Sequence, residues 1–336
     1  MVFYAAAAAA GLAFLWMIEG LGGVLLLFSL VVLGIYLLVK GADYLVEGAV
    51  AIAERVGVSK LFIGLSLVAF GTSAPELAVS ITSAVKGVGG VAISNVVGSN
   101  IANIALCFGL TVLFVGSVKV PETTVKMESP FLIIVTSAFV SMLFRQGEYA
   151  LFWNDGIVLL GFLTIYVYYL YRMASSDMEV VEKLEEVDLF KAFFMVSIGL
   201  FGVVVGGDLT VDAVVGVSKA LNLSNSLFAL TVVAVGTSLP ELVTSLTAAG
   251  RGHSDLSVGN IVGSNIMNIL VILGLSSIFG GRLSVDVGMY YVDLSFVLGL
   301  SVLFFILALK GRFRRLEGAI FLVLYGLYLW FVLWRR

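Results

Sequence analysis

The chain has 336 residues, of which 60% are hydrophobic and 12% are charged. Soluble domains carry roughly 25% charged residues, so this composition excludes a soluble globular protein and indicates a polytopic membrane protein. The formal net charge of −3 gives no basis for nucleic-acid binding. Because the chain has one cysteine, Cys107, and one histidine, His253, an internal disulfide and a Cys/His metal cluster are excluded too, and no cofactor is expected.

The apolar stretches predict an all-α membrane protein, since a spanning helix needs roughly 20 mostly apolar residues. Residues 1–20 predict an extra N-terminal transmembrane helix, and the absence of a positive charge at its start disfavours a cleaved signal peptide. Ten further stretches follow, at about 24–53, 61–85, 91–117, 130–145, 155–172, 189–219, 226–250, 256–279, 290–309 and 317–334. We therefore predict ten core transmembrane helices and eleven in total.

One interruption between the apolar stretches is long and acidic. Residues 173–188 carry six acidic side chains and one lysine, which predicts a solvated linker between two halves of the chain. Twelve lysines and arginines fall in the loops on one side of the predicted membrane and six on the other. By the positive-inside rule, the linker and the N-terminus are expected in the cytoplasm, with the protein in a prokaryotic plasma membrane.

The chain repeats itself after 165 residues. Residues 59–109 align with residues 224–274 without a gap, with 23 identities in 51 positions. Five predicted spans separate equivalent points, and an odd number of spans reverses the direction across the membrane. We therefore predict two inverted five-helix repeats, at residues 23–172 and 189–336, an architecture typical of secondary transporters.

The repeat contains an eleven-residue motif with a carboxylate at its end. Residues 66–76 read S-L-V-A-F-G-T-S-A-P-E, and residues 231–241 read T-V-V-A-V-G-T-S-L-P-E. Each proline lacks an amide proton and clashes with an earlier carbonyl, so each is expected to break its helix. A carbonyl freed in hydrocarbon needs a partner, which hydroxyl groups or a bound cation can provide. Each half therefore offers carbonyl and hydroxyl oxygens beside a carboxylate, Glu76 or Glu241.

Two carboxylates inside a membrane are costly unless one divalent cation or two monovalent cations neutralise them. Ca²⁺ accepts roughly six to eight oxygen ligands in a flexible shell, whereas Mg²⁺ retains its water, so the sequence favours Ca²⁺. Asn103 and Asn268 lie one helical turn after Ser99 and Ser264, so each pair shares one helix face. These pairs either line the cation site or form hydrogen bonds between closely packed helices.

The motifs G-T-S-A-P-E and G-T-S-L-P-E, each followed by G-S-N-I-x-N-I, resemble the two alpha repeats of the calcium/cation antiporter superfamily, which includes sodium/calcium and proton/calcium exchangers. The resemblance covers residues 41–116 and 206–280. It implies alternating access, with mobile N-terminal helices in each half sliding past a core. It also implies that Glu76 and Glu241 are the central calcium ligands. The resemblance further implies backbone oxygens from Thr72 and Thr237, and monovalent-ion positions lined by Ala69, Ser73, Ser99, Ala234, Ser238 and Ser264.

One position departs from the family pattern. Sodium/calcium exchangers commonly carry Asp where Asn268 stands, so the expected site has two carboxylates and no third. The G-T-S-x-P-E motif is similar to that of sodium exchangers, whereas an eleventh span is similar to the proton branch. We expect a non-enzymatic antiporter that exports Ca²⁺ from the cytoplasm in exchange for H⁺, because two protonated glutamates balance one Ca²⁺. Exchange of Na⁺ for Ca²⁺ at the same site is the alternative.

Two other classes of protein are disfavoured. A cation channel could use the same carboxylates, but inverted repeats and discontinuous helices argue against it. An intramembrane hydrolase would need a nucleophile or an activated water, and no such signature is present. The expected partners are Ca²⁺, a monovalent counter-ion and the lipid bilayer, and both a monomer and a homo-oligomer stay open. A second set of acidic residues is also related by the repeat, and it suits either gating or a structural role: Asp43, Glu47, Asp208 and Asp212. Lys40 is able to neutralise Asp43.

Overall fold

The computed structural model describes residues 21–145, 149–178, 188–220, 236–285 and 287–334. The N-terminal helix expected at residues 1–20 lies outside these ranges, and so do Ala234 and the first part of the span expected at residues 226–250. The described part of the chain is almost entirely helical.

The first half alternates long helices with short interruptions. Its elements are α1 (Leu21–Val56), α2 (Lys60–Ile63), a π-helical stretch (Gly64–Val68), α3 (Ala69–Thr72), α4 (Ala74–Val85), α5 (Gly89–Ile101), a second π stretch (Ala102–Phe108), α6 (Gly109–Val115), β1 (Ser117–Lys119), a third π stretch (Thr124–Glu128), α7 (Ser129–Leu143), β2 (Ala150–Phe152) and α8 (Trp153–Met178). Helix α8 continues into the predicted linker 173–188, so the start of that linker is helical.

The second half follows a similar order, although an α-helix and no π stretch comes after β3 in its described residues. Its described elements are α9 (Leu189–Ala220), α10 (Leu239–Gly250), α11 (Ser254–Met267), a fourth π stretch (Asn268–Leu273), α12 (Gly274–Gly280), β3 (Arg282–Ser284), α13 (Val287–Ala308), β4 (Arg312–Arg314) and α14 (Arg315–Trp334). The π stretch at Asn268–Leu273 lies one repeat length after the stretch at Ala102–Phe108. The sequence repeat is therefore also a repeat of local helix geometry.

The described helices can cross a membrane eight or nine times. Eight are long and apolar enough to span alone, and the bent pair Lys60–Thr72 and Ala74–Val85 makes a ninth. Of the span expected at residues 226–250, only α10 and the turn before it are described. These described helices confirm the prediction of an all-helical polytopic membrane protein, and the number of described candidate spans is eight or nine.

Four three-residue strands correct the purely helical prediction. Strand β1 pairs antiparallel with β4, and β2 pairs with β3, so each pair joins the two halves of the chain. Strands β2 and β4 are each followed by a buried carboxylate that accepts a hydrogen bond from the last amide of the strand. The Phe152 amide donates to Asp155 and the Arg314 amide donates to Glu317, both at 2.9 Å. Segments of three residues are too short for an alternating pattern to identify, which is why the sequence did not indicate them.

Helices α1 and α9 approach to backbone contact. A Cβ atom at Gly41 would lie 2.5 Å from the amide nitrogen of Val203, and one at Gly199 would lie 2.4 Å from that of Leu45. Small residues allow such close approach between membrane helices, and at this separation only glycine fits. In each helix only 28% of the most apolar segment is buried, so the pair lies at the periphery of the described protein.

The centre of the protein is formed by the two spans that carry the G-S-N-I-x-N-I motifs. In Ser254–Gly280, 89% of the apolar segment is buried, and in Gly89–Val115 the share is 78%, whereas in the other six described single-helix spans it is 39% or less. Most of their polar side chains are therefore buried inside the protein. This placement brings both halves of the repeat to one region.

Candidate cation site

Each repeated motif interrupts a helix at the same place. In the first half α3 ends at Thr72 and α4 begins at Ala74, with a bend of 49° between the flanking segments. Ser73 has φ −84° and ψ 10°, and Ser238, one repeat later, has φ −93° and ψ 5°. A proline lies in the first turn of the helix that follows, where its missing amide proton removes no helical hydrogen bond. The predicted break is confirmed in the first half, and the same turn precedes α10 in the second.

Both motif glutamates are completely buried in the first turn after these breaks. The partial positive charge at a helix N-terminus stabilises a carboxylate in this position. Ser99 Oγ donates to Glu76 Oε1 at 3.4 Å, and Ser73 Oγ donates to Glu241 Oε1 at 3.0 Å. The second contact joins the break of one half to the carboxylate of the other. The two carboxylates therefore belong to one polar centre.

An asparagine on the neighbouring helix holds the backbone of each glutamate. Asn95 Nδ2 donates to the Glu76 carbonyl oxygen at 3.2 Å and to Ser80 Oγ at 3.0 Å. Asn260, one repeat later, makes the equivalent contacts with the glutamate carbonyl at 3.4 Å and with Ser245 Oγ at 2.9 Å. The recurrence of these asparagines one repeat apart was the only signal in the sequence, and it did not identify their partners. The bonds fix the position of each carboxylate relative to the central helices.

The repeat-related asparagines Asn103 and Asn268 lie at the start of two π stretches and are completely buried. Asn268 Nδ2 donates to Asn100 Oδ1 at 2.9 Å, a bond that joins the two halves. Neither polar atom of Asn103 has a hydrogen-bond partner in the described part of the chain. Single π turns often occur at functional sites. The two asparagines are therefore unequal, since the amide of Asn268 is engaged and that of Asn103 is available to a ligand.

Three other residues implied by the family resemblance make contacts that cross between the halves. Thr72 is buried, and its hydroxyl donates to Asn260 Oδ1 at 3.2 Å. Ser264 Oγ donates to the carbonyl oxygen of Ala69 at 3.4 Å. The first break therefore contacts the central helix of the opposite half through the Thr72 side chain and the Ala69 backbone.

The corresponding residues of the second break are partly described. Thr237 is half-buried, and Ser238 is buried with a hydroxyl group that has no partner within the described ranges. The Ser238 carbonyl oxygen accepts a weak hydrogen bond from Cys107 Sγ at 3.5 Å, a contact that the sequence did not indicate. Ala234 lies outside the described residues, so its position is not assigned. Cys107 is buried and has a free thiol, since a chain with a single cysteine cannot form an internal disulfide.

Several buried oxygen atoms at this centre have no hydrogen-bond partner among the described residues. They are Glu76 Oε2, Glu241 Oε2, Asn103 Oδ1, Asn268 Oδ1 and Ser238 Oγ. Buried polar atoms are normally paired, so a group of unpaired oxygens is suited to a cation. No cluster of three or more His, Cys, Asp or Glu side chains that could hold a metal ion occurs in the described ranges. Carboxylate, amide and hydroxyl oxygens match hard cations and do not match zinc or copper.

A second charged group lies on α1. Arg251, in the turn after α10, contacts Asp43 at 2.5 Å and Glu47 at 3.8 Å. Lys40 Nζ also lies 3.8 Å from Asp43, as its spacing in the sequence predicted. Arg251 is 208 residues from Asp43 in the chain, so no local pattern could indicate this pair. The contacts support the structural reading of these acidic residues, since they attach α1 to the turn that follows α10.

A polytopic helical protein in which two broken helices bring buried carboxylates to one centre belongs to the class of secondary transporters. A model of the family described as sodium/calcium exchanger protein matches residues 26–172 and 191–334. The chain belongs to this family and is an integral membrane cation/calcium exchanger, an antiporter and not an enzyme.

Individual relatives resemble the chain over most of their length. The putative antiporter CaxA of Alkalimonas amylolytica is 35% identical over 310 residues, covering 87% of this chain and 94% of that protein. The sodium/calcium exchanger MaX1 of Methanosarcina acetivorans is 30% identical over 343 residues, covering 90% and 97%. A crystal structure of the sodium-calcium exchanger NCX_Mj, soaked with Na⁺ and Sr²⁺, superposes with a TM-score of 0.78 at 33% identity, covering 90% and 97%.

Proposed function

We propose that this exchanger binds Ca²⁺ between Glu76 and Glu241 and exports it from the cytoplasm in exchange for monovalent cations. One observation carries the proposal. Both glutamates are completely buried, and each has one carboxylate oxygen bonded to a serine and a second with no partner in the described part of the chain. Two ionised carboxylates at this depth need compensation, and one Ca²⁺ supplies the two positive charges.

The remaining ligands in this proposal come from the residues around the breaks. Ca²⁺ accepts roughly six to eight oxygen atoms, so the two carboxylates alone do not complete its shell. The backbone oxygens of Thr72 and Thr237 and the amide oxygens of Asn103 and Asn268 supply further ligands. The monovalent ions occupy flanking positions lined by Ala69, Ser73, Ser99, Ala234, Ser238 and Ser264.

The proposed transport cycle uses two inverted repeats and alternating access. The first repeat comprises residues 23–172 around the motif at 59–109, and the second comprises residues 189–336 around the motif at 224–274. Ten core spans result, with residues 1–20 as an additional helix and the acidic linker 173–188 in the cytoplasm. Helices α1 and α9 occupy equivalent places in the two repeats and contact each other through glycine backbone. This contact supports movement of the two helices as one unit relative to the central spans.

Two counter-ions have support from different observations. Na⁺ is supported by MaX1 and NCX_Mj, which are named as sodium/calcium exchangers, and by the hydroxyl groups of Ser73 and Ser99, which donate to the carboxylates. H⁺ is supported by the charge count, because two protons neutralise Glu76 and Glu241 when Ca²⁺ leaves. We rank Na⁺ first, since neutral oxygen atoms beside a carboxylate are ligands for a metal cation and are not needed by a proton.

The site assignment is tested by uptake of radioactive Ca²⁺ into proteoliposomes. Removing one partner of a buried charge pair costs about 2–5 kcal/mol, which corresponds to a loss of Ca²⁺ affinity of roughly 30-fold or more. We therefore expect Glu76→Gln and Glu241→Gln each to abolish uptake at a Ca²⁺ concentration that half-saturates the parent protein. Glu122→Gln, which changes an exposed carboxylate, is the matched control and retains uptake. Uptake by both site variants at the parent level would refute the assignment.

The counter-ion is tested with vesicles loaded with Ca²⁺ and held at zero membrane potential. A Na⁺ gradient and a proton gradient are imposed separately, and Ca²⁺ efflux is measured. Efflux driven by the Na⁺ gradient alone would support Na⁺, and efflux driven by the proton gradient alone would replace it with H⁺. Single-channel currents carried by Ca²⁺ without either gradient would refute coupled exchange.

A further inference from the structure

The sheet formed by β1 and β4 carries a concentration of positive charge on its outer face. The middle residue of each strand is buried and the residues on either side of it are exposed. In the antiparallel register, the exposed residues pair Lys119 with Arg312 and Ser117 with Arg314. Alternate residues of a strand point to opposite sides of the sheet, so these four side chains share one side. We call this side of the sheet the basic face.

A fourth cation extends the basic face at one end. Arg315 follows β4 directly in the chain and is exposed. A Cβ atom added at Gly116, the residue before β1, would lie 3.4 Å from Arg315 Nε. The guanidinium group therefore lies beside the start of β1, next to the exposed Ser117. The basic face then comprises four cations and one hydroxyl group: Lys119, Arg312, Arg314, Arg315 and Ser117.

Among the residues that the structure describes, none of these four cations has an acidic partner at ion-pair distance. The glutamates of the adjoining segments are already paired, Glu122 with Lys126 and Glu317 with Lys310. Like charges directly opposite each other in a β ladder are destabilising, and Lys119 lies directly opposite Arg312. The sheet therefore carries an electrostatic repulsion that a bound anion would relieve.

The second sheet shows that the strand pairing does not require these charges. Strands β2 and β3 also pair antiparallel, and the single span Thr124–Leu143 between β1 and β2 places the two sheets on opposite sides of the membrane. Of the four residues at the ends of β2 and β3, only Arg282 is basic, and it lies over the Phe152 ring. Charges that block an exposed strand edge would be needed by both sheets. The positive-inside rule explains which side of the membrane is richer in basic residues, but it does not require two of them to face each other.

The position of the basic face narrows the choice of ligand. Its strands adjoin the ends of three spans, so it lies at the level of the lipid headgroups: Gly89–Val115, Tyr291–Ala308 and Arg315–Val332. Three large apolar side chains next to the sheet in the chain are more than half exposed: Phe114, Leu309 and Leu316. The guanidinium group of arginine matches phosphate oxygens with two parallel hydrogen bonds. A phosphate that carries acyl chains therefore fits both the charge and the apolar surroundings.

We propose that the basic face binds the phosphate headgroup of an anionic membrane lipid of the phosphatidylglycerol type. The guanidinium groups of Arg312 and Arg314 donate to the phosphate oxygens, and Lys119 supplies a further positive charge. The acyl chains lie along the exposed apolar side chains beside the sheet. A zwitterionic lipid fits less well, because the basic face repels the ammonium group of its headgroup. The proposal concerns a place separate from Glu76 and Glu241, so it does not depend on the proposed ligands of Ca²⁺.

The sheet that carries the basic face is anchored to a central span. Phe313, the middle residue of β4, packs edge to face on Phe108 with ring centroids 4.8 Å apart. Phe108 ends the π stretch Ala102–Phe108, which contains Asn103. A lipid that relieves the repulsion between the strands therefore also stabilises the packing at the end of this span. We expect bound lipid to raise the unfolding temperature of the whole protein.

The binding is tested with the purified full chain in neutral detergent, by measuring the unfolding temperature as lipid is added. Phosphatidylglycerol and phosphatidylcholine with identical acyl chains are compared, together with glycerophosphoglycerol, the soluble headgroup without acyl chains. We expect phosphatidylglycerol to raise the unfolding temperature at a concentration roughly tenfold lower than phosphatidylcholine, as charge-assisted hydrogen bonds to phosphate predict.

Matched variants locate the binding. Arg312→Gln removes one arginine from the basic face and Arg282→Gln removes one from the second sheet, so the net charge changes equally. We expect Arg312→Gln to raise the required phosphatidylglycerol concentration roughly fivefold, and Arg282→Gln to leave it unchanged. Arg312→Glu places a carboxylate opposite Lys119, so it is expected to raise the unfolding temperature without lipid and to remove the preference for phosphatidylglycerol. These two effects have opposite signs, so loss of binding is distinguished from loss of folding.

Four outcomes would overturn the proposal. Equal stabilisation of the parent protein by the two lipids would show that the headgroup is not recognised. Equal weakening by Arg312→Gln and Arg282→Gln would show that net charge, and not the basic face, attracts the lipid. Stabilisation by glycerophosphoglycerol to the same extent would show that the ligand is a free phosphate diester.

The fourth outcome concerns the acidic linker, which is predicted on the same side of the membrane as the basic face. A preference for phosphatidylglycerol that appears only when Glu182→Gln, Glu185→Gln and Glu186→Gln are combined would show that the linker covers the basic face in place of lipid. None of the four outcomes affects the calcium site, which the uptake assay of the Glu76 and Glu241 variants tests separately.

Discussion

Substituting one glycine between α1 and α9 tests the packing of these two helices. In Gly41→Ala, the new Cβ atom would lie 2.5 Å from the Val203 amide nitrogen and 2.8 Å from the Gly199 carbonyl oxygen. Non-bonded carbon contacts are most favourable at about 3.5 Å or more, so the helices must separate locally by about 1 Å. Overpacking of this kind costs about 1–3 kcal/mol, and the better helix propensity of alanine returns roughly 0.5–1 kcal/mol. At the middle of these two ranges, the net loss is about 1 kcal/mol.

A matched control separates the steric effect from helix propensity. A Cβ atom at Gly161, on the exposed side of α8, would have no neighbouring atom within 4 Å. Gly161→Ala is therefore expected to stabilise the protein by roughly 0.5–1 kcal/mol. The assay is equilibrium unfolding of the purified protein in mixed micelles, followed by tryptophan fluorescence. The two alanine substitutions should shift the unfolding midpoint in opposite directions.

The double variant provides the stricter test. At Gly199, a Cβ atom would lie 2.4 Å from the Leu45 amide nitrogen and 2.8 Å from the Gly41 carbonyl oxygen. One separation of α1 from α9 relieves both clashes, so Gly41→Ala and Gly199→Ala together should cost less than the sum of the single variants. If Gly41→Ala behaves like Gly161→Ala, or if the two costs simply add, the backbone contact between these helices is not as described.

Three further predictions follow from single contacts. Asn260→Ala removes three hydrogen bonds, two donated by the amide to Glu241 O and Ser245 Oγ and one accepted from Thr72, worth about 1 kcal/mol each. It should reduce the thermal stabilisation by Ca²⁺, and an unchanged Ca²⁺ response would contradict its positioning role. Cys107, 1% exposed, should react with a maleimide only after denaturation, and labelling of the native protein would refute its burial. Partial burial and the nearby Lys60 ammonium lower the pKa of His253, so protonation opposes folding and stability is lost as pH falls below the ordinary value of 6.5. Relative to His253→Gln, the parent protein should therefore lose unfolding temperature on acidification, and parallel pH profiles would exclude this contribution.

The helix break could be predicted from sequence because its cause is local. Pro75 affects residues within one turn of itself, and the serine before it adopts nearly the same backbone angles in both halves. The same reasoning predicted a carboxylate just after each break, but it could not show which side chains contact the carboxylates. The roles of these residues as cation ligands stay predictions.

The contacts between the two halves could not be predicted because they join positions far apart in the chain. Ser73 donates to Glu241 across 168 residues, and Asn268 donates to Asn100 across the same interval. The two repeats are identical at Asn103 and Asn268, yet only Asn268 has a partner in the described part of the chain. Sequence identity between repeats therefore did not predict equal environments, because the partner of each residue depends on how the halves meet.

The sequence by itself determined the class of membrane protein, the positions of most spans, the duplication and the two broken helices. The length of an apolar stretch, the effect of a proline on a helix and the identity between the two repeats are properties of the sequence itself. They can therefore be recognised without knowledge of the fold. Only the tertiary structure decided that the two carboxylates share one centre, that Arg251 contacts α1, and that Glu128 is completely buried. Those features depend on the relative placement of helices, which is set by packing across the whole chain.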